Sequence, residues 1–211
     1  MIGKIQIPEA IGSRAEYKRK FSPGEMYWGF VQIPGAITNM AGNKRKKLAD
    51  QGLIERVQLA VTEVNGCAAC SYAHTYMALK QGIPQEEIKS FLSGDDAFVK
   101  QEEAKAILFA QHFADTKGLP NAEAYNTLVD EYGEAKAQII YSAAQIMQAG
   151  NIYGIPFSAL VSRLKGKPYK ESSLGYELGM HIAGFVLLPF ALIHGTVRRV
   201  FGVSNIRLEN I

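Results

Sequence analysis

Apolar residues along most of the chain recur at spacings of three and four, which is the period of one face of an α-helix. The clearest case is a helix predicted over about 44–64, whose apolar positions are Leu53, Val57, Ala60, Val61 and Val64. Runs that alternate between apolar and polar residues, as half-buried strands do, are scarce. The pattern therefore predicts an all-α protein, with further helices over about 67–81, 84–92, 100–116, 121–131, 134–150, 157–164 and 174–201.

Glycine, proline and asparagine mark the ends of the predicted helices. Asn65-Gly66 ends the first, because both residues tolerate the left-handed conformation that stops a helix. Gly82, followed by Pro84, ends the second. Irregular structure with short helical pieces is predicted for 1–43, a turn for 151–156 and a polar linker for 165–173.

The segment 178–197 contains no Asp, Glu, Lys or Arg and has the length of a membrane span. It also contains Pro189 and three glycines, and no second segment of the sequence is a candidate for a membrane span. A helix that is apolar all round must be buried, and we expect protein rather than lipid to bury it. The chain is thus predicted to consist of a helical domain, 1–165 (core about 40–160), and a C-terminal apolar helical extension, 166–211. The extension would pack on the core or in an oligomer interface, where His181 and His194 need polar partners.

Composition narrows the class of protein. The chain has 211 residues and a net charge of +3, which is too mild to indicate nucleic-acid binding. The N-terminus lacks an apolar run of signal-peptide length. Only two cysteines are present, whereas a secreted disulfide scaffold would contain more, spread along the chain. We therefore expect a cytoplasmic protein that uses its thiols chemically.

The two cysteines, Cys67 and Cys70, open a predicted helix and are separated by two residues. This spacing allows a disulfide, and the partial positive charge of a helix N-terminus favours a thiolate. His74 follows Cys70 by one helical turn, where it can take the thiol proton. Glu55 lies on the preceding helix. If the two helices pack antiparallel, its carboxylate can reach His74 and orient the imidazole.

The spacing to His74 favours Cys70 as the activated thiolate and Cys67 as its disulfide partner. In other enzymes with a CxxC pair, however, the first cysteine is commonly the attacker. A c-type haem is excluded, because Ser71 stands where that motif requires histidine. A structural zinc site is an alternative, but it wants four ligands. No second cysteine pair is present, and the other histidines are scattered: His112, His181 and His194.

The arrangement of Glu55, Cys67, Cys70 and His74 resembles the alkylhydroperoxidase (AhpD-like) branch of the carboxymuconolactone decarboxylase superfamily. The flanking residues 65–67, 73–74 and 80–83 agree with that branch, and 151–156 resembles the turn after its later helix. The resemblance covers about 40–160. One departure is Ala69, where the best-known peroxidases carry a second histidine.

The resemblance implies an all-α helical bundle around a central helical hairpin that carries the CxxC pair, assembled as a trimer or hexamer. It implies that Cys67 and Cys70 reduce a peroxide or a small-molecule disulfide, with Glu55 and His74 as a proton relay. Electrons would come from a protein dithiol or a lipoyl group, without metal or flavin. The alternatives are a decarboxylase-like lyase on the same scaffold, and a non-catalytic helical assembly module with a structural disulfide or zinc.

Overall fold

The computed structural model describes residues 16–209, which form seven α-helices and no β-strand. The all-α prediction is therefore confirmed. The helices are α1 (Pro23–Lys46), α2 (Gln51–Asn65), α3 (Ala68–Lys80), α4 (Gln85–Ser93), α5 (Ala104–Asp115), α6 (Ala122–Leu164) and α7 (Leu174–Val200), with a single 3-10 turn, Gln101–Glu103, before α5.

The N-terminal region differs from the prediction of irregular structure over 1–43. Residues 1–15 of that region lie outside the described residues, but α1 begins at Pro23, so the predicted helix over 44–64 starts only at Gln51. Ser22 and Glu25 form a capping box, in which each side chain accepts the other residue's backbone N–H. Pro34 lies inside α1. Its missing N–H normally disfavours a helix interior, which favoured the prediction of irregular structure over 1–43.

The turn predicted over 151–156 is wrong, because α6 continues through this segment to Leu164. Gly133, which has a left-handed φ of 72°, interrupts the helix as the sequence indicated, but Gly150 does not. Ile152 and Ile155 are buried, and the buried Asn151 side chain hydrogen bonds with α2. These tertiary contacts override the weak helix propensity of the local sequence.

Two apolar clusters form the interior. The larger one joins α2, α3, α4, α5 and α6. The smaller one joins α1, α6 and α7, and it includes the fully buried Cys67. Cys70 packs against both clusters. The two cysteines therefore lie where the two halves of the interior meet.

The C-terminal helix α7 packs on α1 and α6 through one face. Near its start, the buried Glu177 carboxylate accepts hydrogen bonds from Arg163 Nε and Nη2 at 2.7 and 2.9 Å, and from the Ser172 hydroxyl. The Arg163 guanidinium lowers the pKa of Glu177 despite the burial. His181 and His194 both have polar partners, the Glu177 carbonyl oxygen (2.6 Å) and the Tyr27 hydroxyl (2.8 Å).

Among residues 16–209 of the single chain, the opposite face of α7 is exposed, so packing on the core buries one face of 178–197, and burial of the other in an oligomer interface stays a prediction. Ten large apolar side chains between 178 and 201 are exposed, with Phe185 at 83%. Within residues 16–209, α7 is the one helix whose length and composition would allow it to cross a membrane.

Close packing of α7 on α1 depends on Gly195. A Cβ at this position would overlap the carbonyl oxygen of Val31 and lie 3.0 Å from Cδ of Pro34. We predict that Gly195→Ala lowers the free energy of unfolding by at least about 2 kcal/mol, since overpacking against backbone cannot relax easily. Chemical denaturation monitored by circular dichroism measures this change.

Gly179→Ala is the matched control. Gly179 lies on the same helix, and a Cβ there would meet nothing within 4 Å. Alanine should stabilise this position by up to about 1 kcal/mol through helix propensity alone. Equal stabilities of the two variants would show that α7 does not pack closely on α1.

Candidate redox site

The candidate site is built on the turn between α2 and α3. Gly66 adopts a left-handed φ of 75° and ends α2, and its N–H donates to the Thr62 carbonyl oxygen at 2.8 Å. Cys67 is the N-cap residue of α3, and its Sγ accepts the backbone N–H of Cys70 at 3.2 Å. The sulfurs therefore lie at a helix N-terminus, where positive partial charge stabilises a thiolate.

Cys67 and Cys70 are joined by a disulfide, with their Cα atoms 5.3 Å apart. Cys67 is fully buried, whereas Cys70 is half-buried. A molecule that approaches from solvent consequently reaches Cys70 more readily than Cys67. This asymmetry agrees with the roles that the sequence favours for the two residues.

Glu55 and His74 lie together, as they must if α2 and α3 fold back on each other. His74 Nδ1 is 3.0 Å from Glu55 Oε2, and the Glu55 side chain is only 3% exposed. A neutral imidazole that donates its Nδ1–H to a carboxylate leaves Nε2 free to accept a proton. His74 stands one helical turn after Cys70, so the two residues lie on the same face of α3.

Two glutamines complete the surroundings of Glu55. Its Oε1 accepts hydrogen bonds from Gln51 Nε2 at 3.4 Å and from Gln81 Nε2 at 3.2 Å. With His74, three donors fix the carboxylate. Neither glutamine was predicted from the sequence as a site residue. The four-residue spacing from Gln51 to Glu55 places both on one helix face and could have indicated their hydrogen bond, whereas no local spacing indicates the one from Gln81.

Helix α6 forms the wall behind the disulfide. A Cβ on Gly154 would lie 2.7 Å from Cys67 Sγ and 2.8 Å from Cys70 Sγ, so only glycine fits. Ser158, one turn later, accepts the backbone N–H of Ala69 at 3.0 Å. This bond satisfies one of the free N–H groups in the first turn of α3. The sequence analysis assigned Gly154 to a turn and so missed this contact.

The described part of the chain offers no metal centre. Among residues 16–209, no group of three or more His, Cys, Asp or Glu side chains could hold a metal ion. The His112 ring accepts the backbone N–H of Asn121, and His181 and His194 bond elsewhere, as described above. Two thiolates and one imidazole would in any case fall short of the four ligands of a structural zinc site.

Comparison with known proteins gives one match. Residues 32–112 match the family model of the carboxymuconolactone decarboxylase family. The matched segment runs from within α1 to within α5, and it contains Glu55, Cys67, Cys70 and His74. No curated protein and no solved structure matches the chain.

The matched segment holds the complete hairpin with its cysteine pair, glutamate and histidine, on an all-α fold. All of α6, which contains Gly154, and all of α7 lie outside the match. Through residues 32–112, the chain is similar to the carboxymuconolactone decarboxylase family.

Proposed function

We propose that this chain is a cytoplasmic thiol-dependent peroxidase and disulfide oxidoreductase that cycles Cys67 and Cys70 between disulfide and dithiol. The observation that carries the proposal is a single arrangement. The half-buried Cys70 is bonded to the buried Cys67, and it stands one helical turn before a histidine that a buried carboxylate orients. This combination supplies a cysteine pair that can be oxidised and reduced reversibly, and a base one helical turn from the more accessible cysteine.

The reductive half-reaction starts from the disulfide form. One thiolate of a protein dithiol or a dihydrolipoyl group attacks the Cys70 sulfur, and the bond to Cys67 breaks. The Cys67 thiolate leaves at the helix N-terminus, where the Cys70 N–H stabilises it. The second thiol of the reductant then attacks the mixed disulfide and releases Cys70. The reductant becomes a disulfide, and the two electrons and two protons pass to the cysteine pair.

The oxidative half-reaction consumes the peroxide. With His74 as base, the Cys70 thiolate attacks one peroxide oxygen and the O–O bond breaks. The alcohol leaves with the proton that His74 returns, and Cys70 becomes a sulfenic acid. Cys67 attacks this sulfur, water leaves and the disulfide reforms. In balance, two thiols and one hydroperoxide give one disulfide, one alcohol and one water.

Glu55 acts through His74. Its carboxylate holds the imidazole in the tautomer whose Nε2 is free, and its charge stabilises the imidazolium that forms during proton transfer. Gln51 and Gln81 position the carboxylate. The relay therefore depends on side chains from both arms of the hairpin.

Association of identical chains is part of the proposal. The exposed apolar face of α7 continues for more than twenty residues. Soluble monomers rarely expose apolar patches beyond a few hundred Å², whereas a stable interface hides roughly 800 Å² on each partner. A homo-oligomer, such as the trimer or hexamer that the resemblance implies, would cover this face.

The roles of the two cysteines can be separated by trapping. We predict that the Cys67→Ser variant forms a stable mixed disulfide on Cys70 when it is treated with an aromatic disulfide, because no second thiol can resolve the adduct. The Cys70→Ser variant should react much more slowly, since Cys67 is fully buried. Intact-protein mass spectrometry with time measures both rates. Faster reaction of Cys70→Ser would reverse the assigned roles.

Glu55 and His74 are predicted to act as one unit. Glu55→Gln and His74→Ala should each slow peroxide-dependent turnover by about 10²–10⁴-fold, the usual contribution of a general base. The double variant should be little slower than the slower single variant, because residues of one relay are not additive. Steady-state kinetics under a constant dithiol supply measures this.

Glu63→Gln is the control for that series. Glu63 lies on α2 with Glu55, but it pairs with Lys18 rather than with His74. Its removal should leave turnover unchanged. Additive losses in the double variant would show two independent roles. Catalysis that survives replacement of both cysteines would point instead to a lyase on the same scaffold.

A further inference from the structure

A cavity with a volume of about 580 Å³ lies between α1, α6 and α7. Phe30 and Ile33 of α1, Tyr153 and Phe157 of α6, and Phe185 of α7 contribute to its wall. Among residues 16–209, no charged side chain lines it, and the Tyr153 hydroxyl is the one polar side-chain group in its lining. Its volume is in the range of small-molecule pockets, about 300–1,000 Å³.

The cavity shares a wall with the disulfide. Gly154 lines the cavity, and the sulfurs of Cys67 and Cys70 lie so close to the same residue that no Cβ fits between. Gly154 therefore lies between the cavity and the redox pair. A molecule held in the cavity would lie beside the site of the proposed chemistry.

Gly150 lines the cavity at a position that is itself exposed to solvent. Residues 146, 150, 153 and 157 follow the helical period and all line the cavity. A Cβ at Gly150 would meet nothing within 4 Å, and its φ is not positive. Neither a contact nor the backbone requires glycine there, although glycine in a helix interior costs about 1 kcal/mol relative to alanine. The consequence of glycine at this position is open space.

Gly184 differs from Gly150. A Cβ at Gly184 would lie 2.7 Å from Cε2 of Tyr153, so glycine is needed there to let α7 approach α6. His181 packs against the rings of Tyr153 and Phe157, with ring centroids 5.2 and 6.1 Å away. These contacts hold two aromatic walls in place. The cavity thus has two aromatic side chains held in place in its wall, Tyr153 and Phe157, and it opens to solvent beside the exposed Phe185.

We propose that this cavity binds the hydrocarbon part of the substrate, and that the substrate is an uncharged long-chain molecule of the lipid class. The inference deepens the proposed function and rests on it. An almost wholly apolar lining offers no partner for a charge, and burying an unpaired polar group is costly. A hydrocarbon chain brings no unpaired polar group into the cavity, and each CH₂ group that it buries contributes about 0.8 kcal/mol, against the entropy lost on binding.

Binding of 1-dodecanol to the full-length oxidised protein tests the proposal without requiring turnover. The parent should bind it in isothermal titration calorimetry. Gly150→Leu should weaken binding at least about tenfold, corresponding to about 1.4 kcal/mol, because leucine fills the space. The melting temperature of the variant, measured in parallel, checks that it folds.

Gly42→Leu is the matched control. Gly42 lies within α1, a Cβ there also meets nothing within 4 Å, and it does not line the cavity. This variant should bind dodecanol as the parent does. Equal affinity in Gly150→Leu and the parent would place the ligand on the exposed face of α7 and overturn the proposal. The parent could instead bind no dodecanol, while Gly150→Leu shows a lower molar mass than the parent in light scattering. That result would show that a second copy of the chain fills the cavity, and it too would overturn the proposal.

Turnover provides the second readout. The ratio of kcat/KM for dodecyl hydroperoxide to that for hydrogen peroxide should fall at least about tenfold in Gly150→Leu and stay unchanged in Gly42→Leu. An unchanged ratio in both variants would contradict the assignment of the chain to this cavity. If the parent binds dodecanol but reduces no peroxide, the proposed function fails. If it reduces hydrogen peroxide but binds no dodecanol, the cavity proposal fails and the proposed function stands.

Discussion

The two sulfurs of Cys67 and Cys70 lie against the backbone of Gly154, closer than any side chain would permit. This contact joins the turn between α2 and α3 to α6, and the rest of the structure depends on it. It requires glycine at position 154, and it requires α6 to continue past Gly150 without a turn. Because α6 continues, it can bury Ile152 and Ile155 in the second apolar cluster, on which α1 and α7 pack.

The hairpin was predictable because its signals are local. Asn65-Gly66 marks the stop of α2, the spacing of Cys67 and Cys70 identifies the redox pair, and His74 follows at the helical period. The prediction that Glu55 reaches His74 needed only an antiparallel pair of helices, which the short turn imposes. Four candidate residues from two neighbouring helices could therefore be assembled from sequence reasoning.

The remaining errors concern residues whose conformation is decided at long range. The segment 151–156 contains Gly154 and Pro156, and this composition favours a turn. It is helical because the Asn151 side chain hydrogen bonds with α2 and because the disulfide packs against Gly154. Pro34 likewise disfavours a helix by its local chemistry, although α1 continues through it. Gln81 reaches Glu55 across the hairpin, and no spacing rule indicates that hydrogen bond. Periodicity describes one helix at a time, whereas these features depend on which helices meet.

The central claim is that Cys67 and Cys70 exchange two electrons with a peroxide. The most direct measurement mixes the fully reduced protein with one equivalent of hydrogen peroxide and follows peroxide, free thiols and protein mass together. The account predicts that two thiols disappear for each peroxide consumed, that the mass falls by two hydrogens, and that peptide mapping finds the Cys67–Cys70 disulfide. Peroxide consumption no faster than that of a free small-molecule thiol, or consumption without loss of both protein thiols, would contradict it.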